Sequence, residues 1–125
     1  MDKLIIDRSK WRTGSTNPGM NNATGEGRTA LLNPQGFMCC LGFRCLDLGV
    51  KPENILGVLS PLANGLKNTT DLKELKEWGF VTAAISLNDN PTITIKDREE
   101  MITDHFKQFH VEVQFINDYN KIKIL

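Results

Sequence analysis

No stretch of this chain is apolar for long enough to cross a bilayer. The longest nearly unbroken run, Phe37 to Leu48, is about 12 residues and is interrupted by Arg44 and Asp47, whereas a spanning helix needs roughly 20. Charge of one sign is also lacking. Fifteen basic residues balance fifteen acidic ones, so the broad positive footprint of a nucleic-acid binder is missing. Met1 to Asp7 has neither the long apolar core nor the small-residue cleavage site of a secretory signal. Cysteine is scarce and badly arranged for cross-linking: there are three, two of them adjacent, and a vicinal bridge is strained. Reduced thiols in a cytoplasm follow as the expectation, and the sequons at Asn22 and Asn68 then carry no meaning.

Metal chemistry finds little support. Cys39 and Cys40 would point about 100° apart on a helix and Cys45 faces a third direction, so no thiolate set converges and no metal or other cofactor is expected. Asn88-Asp89-Asn90 lacks the glycine and terminal glutamate of a calcium loop.

What the chain does have is enough length for one domain over residues 1–125, with 40% hydrophobic and 24% charged residues. Leu4-Ile5-Ile6, short and largely β-branched, reads as a strand ending near Trp11. The run 37–48 reads as a buried helix: Met38, Leu41, Cys45 and Leu48 form one stripe, and Gly49 stands where a left-handed cap belongs. Gly42 on that helix is expected to touch another backbone. Lys51 to Leu56 predicts a helical turn, with Pro52 at its start. Residues 70–79 predict a short helix capped by Thr70 and ended by Gly79. Residues 81–87 fit either a helix or a strand, and a helix ending at the breaker cluster Asn88 to Pro91 is the favoured reading. Residues 95–109 form the clearest helix, with Thr94 as its cap and Asp97 three positions on. Val111 to Phe115 and Lys121 to Leu125 alternate around Asn117 to Asn120, which predicts a hairpin. The expected fold is therefore α+β, a small, mainly antiparallel sheet of two to four strands packed against two or more helices.

One segment follows no period. Thr13 to Arg28 holds four glycines and three asparagines in sixteen residues, and long loops inside compact domains commonly carry function. Trp11, Arg12, Gly14, Gly25, Gly27 and Arg28 combine backbone amides, two guanidinium groups and an indole. Such a set suits an anionic or nucleotide-like ligand, held by N–H groups, clamped by arginine and stacked on tryptophan. It matches neither the phosphate-loop nor the dinucleotide signature. The bland alternative is a surface connector whose tryptophan anchors the core; Trp11 fully inside the core together with Arg12 and Arg28 splayed into solvent on different faces would move the search for function to the surface of the 70–90 segment. A second set is catalytic. Cys39 or Cys40, near a helix start, would act as nucleophile with His105 as base. Against it, cysteine commonly serves as a small buried hydrophobe.

Taken in order, Trp11-Arg12-Thr13-Gly14, Cys39-Cys40-Leu41-Gly42-Phe43, Asn88-Asp89, Arg98 through Phe106 and Val111-Glu112-Val113-Gln114-Phe115 resemble a pattern shared by small uncharacterised proteins of bacteria, phages and prophages. The resemblance covers most of the chain, and only the order of its motifs is specific. His105 and His110 are not features of that pattern. It implies a phage-type accessory protein that acts by binding, in the host cytoplasm if phage-encoded. Its partner would be a host protein, such as a defence component, or a nucleotide-like signal. Self-association is left open, and neither a membrane nor nucleic acid is expected as partner. A small cysteine-dependent hydrolase or transferase is the alternative, and a structural or assembly protein the second alternative.

Overall fold

The computed structural model describes residues 2–13, 29–62, 73–90 and 92–118. Strand β1 (Asp2–Asp7) and strand β2 (Val111–Ile116) stand near opposite ends of the described chain and pair with each other. Their register runs from Asp2 beside Val111 to Asp7 beside Ile116, so the two strands are parallel. This corrects the expectation of a mainly antiparallel sheet. Alternation identified both strands, because it reports which side chains face the core: Leu4, Ile6, Val111 and Val113 are buried, while Lys3 and Glu112 are exposed. It carries no information on strand direction, which depends on the path between the strands. Parallel neighbours need a crossover connection, and here every described helix lies within it. The predicted second hairpin strand, 121–125, lies outside the described residues.

β1 ends at Asp7, short of the expected end near Trp11: Arg8 to Lys10 form a turn, with Lys10 N–H donating to Asp7 C=O (2.9 Å), and the chain then pairs with the segment around Met38. Arg12 N–H donates to Met38 C=O (2.9 Å) and Met38 N–H to Lys10 C=O (2.8 Å). That pairing explains why helix α1 (Cys40–Asp47) starts later than residue 37: Met38 is bridged to Trp11, and Cys39 is an extended N-cap. At the other end Gly49 is left-handed (φ +92°), with Gly49 N–H donating to Leu46 C=O and Val50 N–H to Cys45 C=O, both at 3.0 Å. These two bonds form the glycine-terminated cap expected there. Gly42 does touch another backbone element: a Cβ at this position would sit 1.8 Å from the carbonyl oxygen of Leu31.

Helix α2 (Pro52–Ile55) is the predicted proline-led turn. In place of the 70–79 helix, the described residues show one 3-10 turn, Lys73–Lys76, and then helix α3 (Trp78–Asp89). Gly79 therefore lies in the first turn of a helix and ends none, and Thr70 lies outside the described residues. Helix α4 (Ile95–Lys107) packs on α3 and β2, its N-terminus capped by Thr94 Oγ1 accepting from Asp97 N–H at 3.2 Å. Arg98 is buried and donates from Nη2 to the carbonyls of Asn90 and Ile93, closing the α3–α4 connection.

The core gathers Leu4, Ile6, Leu31, Leu41, Ile55 and Phe106 with all three cysteines. At the start of β1 a buried Arg44–Glu74 ion pair extends to exposed partners. Arg44 donates to Glu74, to Asp47 (2.6 Å) and to Asp2 (3.1 Å), and Lys73 reaches the same Asp2 carboxylate at 2.7 Å. Lys73 and Arg44 together hold the Asp2 carboxyl down to about 2.

Candidate binding site

The described residues place a buried polar hub at the residues that flank the 14–28 segment. At its centre is Asn88, 1% exposed, on the last turn of α3. Its side-chain oxygen accepts from Trp11 Nε1 (2.8 Å) and from Cys40 N–H (3.0 Å). Its amide nitrogen donates to Arg12 C=O (3.0 Å) and to Asp89 Oδ1 (2.8 Å). Two acceptor and two donor positions are all that an asparagine side chain has, so each is filled. The arrangement also fixes the amide orientation, since a flipped amide would aim its NH2 at two donors. Asp89 extends the hub to the far side of the segment: Thr29 donates from its backbone N–H (3.0 Å) and from Oγ1 (2.8 Å) to the two carboxylate oxygens.

Arg12 and Thr29 are thus held by adjacent residues of one helix. Bringing together two residues separated by 16 others costs about 2.5 kcal/mol in the length-dependent part of the chain entropy alone. The hub's hydrogen bonds, each about 1 kcal/mol and more where a carboxylate accepts, are of the size needed to offset it.

The residues proposed from sequence for ligand contact divide accordingly. Trp11 is fully buried, its ring 5.1 Å from that of Phe115 and its Nε1 occupied by Asn88. This corrects the expectation of an indole exposed for stacking: an apolar ring with one donor gains more from a satisfied place in the core. Arg12 is 1% exposed and lies over the Phe37 ring at 4.4 Å, so its guanidinium packs inside the fold. Both residues anchor the segment. Gly14, Gly25, Gly27 and Arg28 lie outside the described residues.

The catalytic set fares differently. Cys39 and Cys40 are buried, and burial pushes the Cys39 thiol up to about 12 and the Cys40 thiol well above its ordinary value. The nearby charge of Asp89 acts in the same direction on both. The helix start does not rescue either thiol, because desolvation outweighs the dipole. His105 is engaged elsewhere. Its Nε2 donates to Phe80 C=O at 2.8 Å, and its ring stacks on Phe80 with centroids 4.4 Å apart. A thiolate nucleophile paired with this imidazole is therefore corrected to two core cysteines and a histidine that packs α4 onto α3.

Sequence reasoning recorded Asn88-Asp89 as a turn signal and a family motif and missed its central place. A signal was present: Asn88 follows Val81 and Ala84 at helical spacing, which puts a polar side chain on the buried face. Among the described residues no group of three or more His, Cys, Asp or Glu is arranged to hold a metal ion, and no helix is long and apolar enough to cross a membrane. Trp78, at the start of α3, is 71% exposed. Comparison with family models, curated proteins and solved structures found no match.

Proposed function

We propose that the protein acts by binding, through the 14–28 segment, on a host protein or a nucleotide-like signal, as a phage- or prophage-type accessory factor. One observation carries this reading: adjacent residues of one helix, Asn88 and Asp89, hold both ends of that segment. Buried polar networks are costly unless every member is satisfied, and they fix geometry more than they add stability. Here the geometry fixed is the base of a segment containing Gly14, Gly25, Gly27, Ser15, Thr16 and Arg28, whose amides, hydroxyls and guanidinium suit an anionic group. The phage setting and the defence-linked partner rest on the resemblance alone.

The test is copurification of tagged wild type and Arg28→Ala from prophage-bearing cells, with proteins and nucleotides both analysed by mass spectrometry. The reading predicts a species enriched by the wild type and lost from Arg28→Ala, with the variant's melting temperature within about a degree or two of the wild type's. Equal enrichment by both proteins, or none by either, overturns it.

A further inference from the structure

We propose that the outer edge of β2 and the trough beside it bind an extended, lysine- or arginine-bearing peptide as an added strand. This does not rest on the 14–28 reading. In the β1–β2 ladder Asp2 N–H donates to His110 C=O (3.1 Å) and Arg8 N–H to Ile116 C=O (2.9 Å), with Leu4 opposite Val113. The even-numbered residues of β2 therefore face β1. Val111, Val113 and Phe115 turn their N–H and C=O groups the other way, and among the described residues none of these groups has a backbone partner. Such a row of alternating donors and acceptors is complementary to another extended backbone.

The edge is bordered by a trough of matching length. Three hollows of about 440, 410 and 380 Å³ follow the flank of α4; the first and second share Thr103, the second and third Glu99 and Glu100. Thirteen helical residues and six strand residues each span about 20 Å, room for about six extended residues. Charge selects the occupant. Arg8 is neutralised by a two-bond pairing with Glu99 (2.7 and 2.9 Å). Among the described residues what remains is Glu100, Asp104, Glu112 and Asp118 against Lys96 and Lys107, a net negative lining. A second copy pairing β2 to β2 would bring Glu112 against this lining, which like-charge repulsion disfavours.

The chain's own Lys121-Ile122-Lys123-Ile124-Leu125 has the same chemistry, so the test separates self from partner. The probe is a fluorescein-labelled hexapeptide of alternating lysine and valine, titrated by anisotropy against the full chain. The proposal predicts saturable binding that weakens about tenfold for the Glu100→Lys/Asp104→Lys variant, whose circular dichroism is unchanged. It also predicts loss of binding by a hexapeptide N-methylated at alternate residues, which keeps its charge and loses its strand donors. Equal binding of the methylated peptide means charge attraction alone and overturns the proposal. Absence of binding by the wild type also overturns it. If the full-length Lys121→Glu/Lys123→Glu variant then binds the probe, the edge belongs to the chain's own C-terminal residues.

Discussion

Gly42→Ala adds one methyl group at the closest approach of two backbone segments, and its cost follows from distances. The new Cβ would lie 1.8 Å from Leu31 O, 2.8 Å from Leu31 C and 3.1 Å from Met38 Cβ. Relief requires α1 or the 30–32 segment to move by about 1–1.5 Å. That segment is held by Leu31 N–H donating to Val58 C=O (2.7 Å), Gly57 N–H to Leu32 C=O (2.8 Å) and Cys39 N–H to Ala30 C=O (3.3 Å). Alanine gains about 1 kcal/mol over glycine in helix propensity, which opposes the clash. Overpacking against backbone costs about 1–3 kcal/mol beyond that gain, so the net effect is destabilising. For a domain of this size the melting temperature should fall by about 3–12 °C, read by circular dichroism together with a lower urea midpoint. Gly79→Ala is the internal control: it is helical and a Cβ there meets nothing within 4 Å, so it should leave stability unchanged or raise it by up to about 1 kcal/mol. An unchanged or raised melting temperature for Gly42→Ala would refute the close-approach argument.

Three further outcomes follow from the same structure. Asn88→Leu strands the buried Trp11 Nε1–H and Cys40 N–H and should cost about 3–5 kcal/mol in urea unfolding, whereas a loss under 1 kcal/mol would show that the hub is not integral. Native protein should resist thiol reagents at neutral pH at all three cysteines and react only as it unfolds; rapid labelling of Cys39 or Cys40 in the folded state would revive the nucleophile reading. Asp2 should titrate near pH 2 by carboxyl chemical shift, against 3.8 for the unfolded chain, so its contribution to stability is present above about pH 4 and is lost as pH falls through 2; Lys73→Met should raise that value, and no change would remove Lys73 as the main cause.

The elements most legible in the sequence were those set by local chemistry. Thr94 and Asp97 marked the start of α4, Gly49 the end of α1, Pro52 the start of α2, and the alternation at 111–115 strand β2. What escaped was set by tertiary partners. Phe37 to Cys39 fits a helical stripe, yet the backbone of Met38 pairs with Lys10 and Arg12, and that pairing delays α1. Strand direction escaped because period-two alternation is the same for parallel and antiparallel neighbours. Residue type marks Trp11 and Arg12 as ligand-contact candidates, and their burial depends on Asn88 and Phe37, which lie far along the chain.

Asp89→Ala tests most directly whether the hub exists to fix the base of a binding segment. It removes both hydrogen bonds from Thr29 and leaves Asn88 bonded to Trp11, Cys40 and Arg12. The measurement is affinity for the species captured by the wild type, taken beside urea stability at a temperature where both proteins are folded. The account predicts a loss of affinity of about tenfold or more with a stability cost of about 1–3 kcal/mol. Unchanged affinity once the Asp89–Thr29 bonds are lost would contradict it.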